Sequence, residues 1–176
     1  MRSARPLVVL LVLVLTVSVA GCSGEPGPRA WASEVCTTLD PWRAEISSLT
    51  SRTQQQMNAA TTPGQAKENL MRLFAGAAEA SERARAGVAK AGVPDVDQGR
   101  LIADSFTGSL AAMRDAYGRA RSGIEALPTA PANAFYQRVT QVVQQLQTDY
   151  QASSLDTSKL DSKELKAAFD EVPECR

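Results

Sequence analysis

The chain of 176 residues carries 19 basic and 19 acidic residues and contains no histidine. Its balanced charge gives no global attraction to nucleic acid. The lack of histidine removes the usual general base, the Ser-His and Cys-His nucleophile pairs, and the Glu-x-x-His ligands of carboxylate-bridged di-metal bundles. We therefore expect a protein that is not an enzyme and that holds no metal and no cofactor.

The first 21 residues have the layout of a secretory signal peptide. Arg2 and Arg5 form a positively charged start, and Leu7 to Ala20 is an uncharged run dominated by Leu and Val. This apolar run is shorter than the ~20 residues that a membrane-spanning helix needs. We expect residues 1–21 to be removed on export.

The leader ends in Val19, Ala20, Gly21 and Cys22. An aliphatic residue, two small residues and a cysteine in this order resemble the lipobox of bacterial lipoproteins. The resemblance implies that Cys22 is lipidated and becomes the N-terminus, which anchors the protein in the cell membrane on its extracytoplasmic face. The alternative is an ordinary signal peptidase site with an incidental cysteine. Residues 22–30, rich in Gly and Pro, are predicted to form a short acylated tether.

Residues 31–176 show helical periodicity almost throughout and form the predicted helical domain. The first apolar stripe is interrupted by Pro41, where we expect a kink or a fresh helix start with Asp40 as its N-cap. The members of this stripe repeat mostly at intervals of three or four residues: Trp31, Val35, Leu39, Trp42, Ile46, Leu49 and Met57.

The segment 62–65, Thr-Pro-Gly-Gln, predicts the start of a second helix with a capping box. Gly92 and Pro94 supply its stop, and Asp97 is predicted to cap a third helix. The inner face of helix two is rich in alanine: Ala66, Leu70, Leu73, Ala77, Ala84 and Val88. The stripe of helix three is Ile102, Phe106, Leu110, Met113, Tyr117, Ala120, Ile124 and Leu127.

Prolines at 128 and 131 end helix three, and a fourth and a short fifth helix follow. Asp161 and Glu164 are predicted to cap the fifth helix, which ends before Pro173. The stripe of helix four is Phe135, Val139, Val142, Leu146 and Tyr150, and that of the fifth is Leu165, Phe169 and Val172. Amphipathic helices of similar length joined by short breaks predict an all-α domain, an antiparallel four-helix bundle with a short fifth C-terminal helix.

With Cys22 lipidated, Cys36 and Cys175 are the remaining cysteines. Export places them in an oxidising compartment, which favours a disulfide over two separate buried thiols. An up-down-up-down path returns the end of helix four to the level of the start of helix one, so the fifth helix could bring the two cysteines together. Residues 31–36, Trp-Ala-Ser-Glu-Val-Cys, resemble the start of small actinobacterial helical lipoproteins that also carry a cysteine near the end. That resemblance implies no particular activity.

Two pairs of carboxylates are the nearest approach to catalytic groups. Asp95 and Asp97 lie where a loop meets a helix N-terminus, a position at which Asp caps helices. Glu79 and Glu82 lie beside arginines on a polar helix face. We interpret both pairs as structural.

Helix four carries the most unusual surface of the chain. Between residues 132 and 153 only Arg138 and Asp149 are charged, while glutamine is frequent. Amides donate and accept hydrogen bonds without the desolvation cost of a charge, which suits a protein or glycan contact. The alternative is an ordinary solvated face. The residues of the predicted partner face are Gln137, Gln141, Gln144 and Gln145.

The sequence therefore predicts a lipid-anchored envelope protein that is a non-catalytic interaction module for another envelope component. The alternative is a binding or carrier protein for an apolar or glycan ligand, for which large apolar side chains would line a cavity. The alanines of helix two favour a packed core over such a cavity. A hydrolase ranks third.

Overall fold

The computed structural model describes residues 24–153 and 160–176, and these residues form helices and no β-strand. The all-α class is therefore confirmed. The predicted signal peptide and the predicted lipidation site, Cys22, lie outside the described residues. The helices are α1 (Pro28–Gln56), α2 (Pro63–Lys90), α3 (Gly99–Glu125), α4 (Ala132–Ala152) and α5 (Lys163–Glu171), followed by a 3-10 turn (Pro173–Cys175).

The predicted capping box at the start of α2 is confirmed. The Thr62 hydroxyl accepts from the Gln65 backbone N–H at 3.3 Å, and the Gln65 side-chain oxygen accepts from the Thr62 N–H at 3.0 Å. Each side chain satisfies a donor that the first turn of a helix leaves without an intrahelical partner.

The predicted caps of α3 and α5 are wrong. Gln98, with a φ of 60°, precedes α3 without a side-chain cap, and a tight turn from Pro94 to Gly99 replaces Asp97 in opening the helix. At α5 the Ser162 hydroxyl accepts from the Leu165 N–H at 3.2 Å, whereas Asp161 is exposed. Ser162 is buried, and a hydroxyl is less costly to bury than a carboxylate.

Of the two predictions for Pro41, the fresh helix start is wrong, because α1 continues through this residue. Asp40 does not cap a new helix and instead accepts from Arg43 at 3.1 Å. Pro41 and Thr37, one turn earlier, are both exposed, so water can satisfy the carbonyl that loses its N–H partner. Leu39 and Trp42 remain buried, so the apolar face of α1 is unbroken.

Two apolar clusters follow one another along the helices. α2 and α3 make the most extensive contact and contribute to both clusters. The first joins them to α1 and α5, with Trp31, Phe106, Leu110 and Leu165 at its centre. The second joins them to α4 and to partly buried side chains of α1, around Leu70, Phe74, Tyr117 and Ile124. α4 and α5 thus cover different parts of the layer that α1, α2 and α3 form.

Cys36 and Cys175 form a disulfide, with their Cα atoms 5.1 Å apart across 139 positions of sequence. The predicted pairing is confirmed. Next to it Ala168 and Val172 pack on Ala32, which holds α5 against the first turns of α1. A bond that closes so long a loop stabilises the folded state by about 2–4 kcal/mol, mainly by restricting the unfolded chain.

Part of the predicted tether belongs to the folded domain. α1 begins at Pro28, the first helical position, which suits proline because its missing N–H would have no partner there. Before it, the carbonyl of Pro26 accepts from the Asp95 N–H at 2.9 Å. The Trp31 indole N–H donates to the Gly92 carbonyl at 2.9 Å. The segment that begins at Pro26 is therefore hydrogen-bonded to the α2–α3 connection.

Gly99→Ala should lower the unfolding free energy by about 1–3 kcal/mol, because a Cβ at this position would lie 2.0 Å from the Pro94 carbonyl oxygen and force the turn apart. Gly108→Ala, in the same helix with no atom within 4 Å of its new Cβ, should raise it by about 0.5–1 kcal/mol. Urea denaturation measures both. A Gly99→Ala variant as stable as the wild type would contradict the tight turn.

Candidate functional site

α4 is attached to the domain along one side. Phe135 is buried, and Val139, Val142 and Leu146 are half-buried in the second cluster. Gly123 of α3 lies beneath Val142, where its missing side chain lets the two helices approach closely. Among the described helices, α4 packs on α3 and to a smaller extent on α2. A large part of its surface therefore faces solvent.

The four glutamines of the predicted partner face are all exposed. Gln145 differs from the other three because its amide donates to Asp149 at 2.8 Å. Asp149 also accepts from Arg119 at 2.7 Å, and the Arg119 guanidinium together with the Gln145 amide lowers the pKa of this carboxyl. Gln145 is thus oriented within the domain, whereas Gln137, Gln141 and Gln144 project from the solvent side of the helix.

An apolar stripe that was not predicted from the sequence lies beside these glutamines. Tyr136, Val143 and Tyr150 are 39%, 42% and 41% exposed. Residues seven apart differ by only about 20° around a helix, so the three share one side. The prediction that Tyr150 belongs to the core is wrong, because the core-facing stripe of α4 runs through Leu146 and not beyond it. The seven-residue spacing of large side chains was the signal that could have revealed the stripe.

We call Tyr136, Gln137, Gln141, Val143 and Gln144 the α4 outer face. It combines one aromatic side chain, one aliphatic side chain and three amides, and it contains no charged residue. Tyr136 is fixed at its edge, since its hydroxyl donates to the Thr61 carbonyl at 3.3 Å and its ring packs edge-on against Phe135.

The carboxylates predicted to be structural differ in their surroundings. Asp95 and Asp97 are exposed in the α2–α3 connection, and Glu79 is exposed on α2. Glu82 accepts two hydrogen bonds from Arg85, at 2.6 and 2.9 Å, and one from Arg114 of α3 at 2.8 Å. These hydrogen bonds, Arg85 first and then Arg114, lower the pKa of Glu82 to about 2. Glu82 therefore joins α2 to α3 as a permanently ionised group at neutral pH.

A cavity of about 310 Å³ lies where α1, α3, α5 and the end of α4 meet. The lining contains no residue of α2, whose alanines Ala66, Ala77 and Ala84 are buried in the core. The cavity is lined by the disulfide, by large apolar side chains and by two charged residues at its edge: Cys36, Leu39, Trp42, Arg43, Phe106, Met113, Tyr150, Phe169, Asp170 and Cys175.

A second, more open groove of about 470 Å³ lies at the opposite end of the molecule, at the α1–α2 connection. Its lining is polar and rich in amides, with Gln56, Asn58, Thr61, Gln65, Glu68, Asn69 and Arg72. The Thr61 carbonyl that accepts from Tyr136 places this groove next to the N-terminal end of the α4 outer face.

Within residues 24–153 and 160–176, no three histidine, cysteine or acidic side chains lie close enough together to bind a metal ion. No helix of the same residues combines the length and apolar character that a membrane span requires. Comparison of the chain with protein-family models, curated proteins and solved structures finds no match.

Glu82→Gln should remove part of the acid sensitivity of the fold. The pKa of Glu82 falls from 4.5 to about 2 on folding, so its carboxylate stabilises the native state above pH 4.5 and loses this effect as the pH falls toward 2. The difference in unfolding free energy between wild type and variant should be constant above about pH 5.5 and shrink below pH 4.5.

Urea denaturation between pH 7 and pH 2.5 measures this difference. Glu79→Gln is the matched control, because it removes an exposed carboxylate from α2 while Glu82 keeps its contacts with Arg85 and Arg114. The proposed role of Glu82 is refuted if the two variants show the same pH dependence.

Proposed function

We propose that this protein is a lipid-anchored envelope protein whose helical domain makes a non-catalytic contact with another envelope protein through the α4 outer face. The observation that carries the proposal is that α4 is buried along one side only and exposes amide, aliphatic and aromatic side chains on the other, with Arg138 as the one exposed basic residue of the helix. Cys22 is the proposed anchor, on the extracytoplasmic face of the cell membrane.

The composition of the α4 outer face suits a protein partner. Protein interfaces are depleted of charge at their centre and enriched in tyrosine, which supplies a large contact area at low conformational cost. Gln137, Gln141 and Gln144 can each donate and accept at the edge of the exposed Tyr136 and Val143. An ordinary solvated helix face carries mostly lysine, arginine and glutamate, as the outer side of α2 does around Glu68, Glu79 and Arg83.

We further propose that the four long helices are arranged as an antiparallel bundle with α5 as its fifth member. Contacts between successive helices support this arrangement, because residues later in one helix contact residues earlier in the next. Leu49 and Thr38 of α1 lie over Gly76 and Gly87 of α2, respectively. Likewise, Lys67 at the start of α2 donates to the carbonyl of Leu127 after α3, whereas Glu82, further along α2, contacts Arg114, earlier in α3.

The proposed anchor rests on the leader sequence. The order Val19, Ala20, Gly21 and Cys22 follows an uncharged apolar run and a basic start, as in bacterial lipoproteins. One acyl chain holds a protein only marginally, whereas the two chains of a diacylglyceryl group give durable attachment. An anchored domain meets partners in the same membrane at a raised effective concentration, so a modest interface suffices.

A carrier for a small apolar ligand is the second candidate function, and the cavity of about 310 Å³ favours it. This volume lies at the lower end of the range for ligand sites, and aromatic walls with a few polar groups at the edge are typical of such sites. Trp42, Phe106 and Phe169 supply those walls, and Arg43 and Asp170 supply the edge.

Cys22→Ala should abolish the membrane attachment. The thiol is the only position that can accept the diacylglyceryl group, so the variant should fail to incorporate labelled fatty acid and should leave the membrane fraction or accumulate as precursor. Fractionation and metabolic labelling measure this outcome. A Cys22→Ala protein that still incorporates fatty acid would disprove the proposed anchor.

A photoreactive amino acid in place of Gln141, at the centre of the exposed side of α4, should cross-link the protein to one specific partner in native membranes. The same amino acid in place of Ser47, an exposed residue of α1, should not do so. Gln137→Glu combined with Gln144→Lys should reduce the cross-link at least tenfold, because two charges would have to be desolvated in the contact. Ser47→Glu combined with Ser51→Lys is the matched control.

Equal cross-linking from positions 141 and 47 would contradict the proposed contact and would leave the α4 outer face an ordinary solvated surface. No cross-link at position 141, together with a small molecule that stays bound in native mass spectrometry, would favour the carrier function instead.

A further inference from the structure

The chain enters the fold at a defined end of the molecule. The bonds from Asp95 to Pro26 and from Trp31 to Gly92 fasten the first described residues to the α2–α3 connection. We call residues 24–28 and 91–101 the entry end. The α1–α2 connection lies at the other end of α2, whose 28 residues span about 42 Å.

Cys22 is only four residues before Pro26, and four extended residues span at most about 14 Å. A lipid attached to Cys22 places its acyl chains in the hydrocarbon core, beneath a headgroup layer of roughly 5–8 Å. Because Pro26 is hydrogen-bonded to Asp95, the α2–α3 connection next to it is held close to the bilayer as well. The entry end therefore lies within the headgroup layer or a short distance above it.

The entry end carries an apolar side chain suited to that position. Leu101 is 66% exposed, and no other large hydrophobic side chain of the described residues is as exposed. It lies in the first turn of α3, and helical side chains lean toward the N-terminus of their helix. The Leu101 side chain therefore leans toward the start of α3 and is exposed there, whereas the next residue, Ile102, is buried in the first cluster.

The entry end and the residues next to it carry a small excess of acidic side chains. Exposed Lys90 and Arg100 lie among exposed Glu25, Asp95 and Asp97, and Arg29 is paired with Glu171. This distribution provides no strong attraction to anionic lipids. Contact with a membrane would depend on the anchor and on insertion of an apolar side chain, so it should be insensitive to salt.

We propose that the entry end rests on the bilayer and that Leu101 inserts among the lipid headgroups as a second point of attachment. The inference rests on the lipid anchor proposed above. Two attachment points at one end of the domain hold the long helices at a steep angle to the plane of the bilayer. The α1–α2 connection and the N-terminal end of the α4 outer face, joined by the bond from Tyr136 to Thr61, then project away from the membrane.

The test uses the full-length acylated protein with Leu101→Cys, labelled with an environment-sensitive fluorophore and reconstituted into phosphatidylcholine vesicles. Cys36 and Cys175 are joined to each other, so the label reacts at the new thiol. Ala60→Cys, exposed in the α1–α2 connection, is the matched control. Intact mass verifies acylation, and circular dichroism verifies folding of both variants.

The label at position 101 should become several-fold brighter and blue-shifted, and nitroxide-bearing lipids should quench it, in low and high salt alike. The label at position 60 should show neither change. An acylated protein whose two labels behave alike would overturn the inference and leave the anchor intact. A response at position 101 in native membranes but not in pure lipid would assign the entry end to a protein, which also overturns it. A protein without acylation would refute the proposed function, and this inference with it.

Discussion

Trp31 joins α1 to α3, to α5 and to the α2–α3 connection, and the rest of the fold depends on these contacts. The residue is fully buried in the first turn of α1. Its ring meets Phe106 of α3 and Phe169 of α5 edge-on, with centroids 5.1 and 6.1 Å away, and its N–H bonds to the Gly92 carbonyl. The Cys36–Cys175 bond reinforces the same junction one turn further along α1. Because a buried indole needs a partner for its N–H, the position of the α2–α3 connection is fixed together with the core.

The packing of α5 at this junction determines which part of the core α4 covers. α1, α2 and α3 are long enough to form both apolar clusters, but α5 covers the first cluster and α4 the second. α4 consequently packs on α3 and α2. In the described residues it does not pack on α1, so it is covered along one side only. The cavity lies where the two coverings meet, and Tyr150 at the end of α4 lines it. The exposed side of α4 and the cavity, which support the two candidate functions, thus have one structural cause.

The proposed anchor and the proposed partner face belong to opposite ends of this arrangement. Attachment through Cys22 and the entry end would leave the α1–α2 connection, with its amide-lined groove, and the adjacent start of α4 at the greatest distance from the bilayer. A domain about 40 Å long is sufficient to hold such a surface clear of the lipid headgroups. Glu82, bound to Arg85 and Arg114, ties α2 to α3 between these ends, nearer to the entry end.

Local interactions within the sequence determined the helices, since apolar spacing and the Thr62–Gln65 capping box act between residues three or four apart. The pairing of Cys36 with Cys175 could also be predicted, because the predicted export and the predicted lipidation of Cys22 left one partner for each of these cysteines. Tertiary structure alone decided how far along α4 the covered side extends, because Tyr150 fits the core stripe by spacing but is exposed where the covering of the core passes from α4 to α5. Tertiary structure also decided how α3 begins. Asp97 has a side chain that can cap a helix, but α3 begins without a side-chain cap. The bond between Pro26 and Asp95 and the close approach of Gly99 to Pro94 instead fold the chain into a tight turn before the helix. Those contacts join residues far apart in the chain, and a periodic pattern of neighbouring side chains carries no information about them.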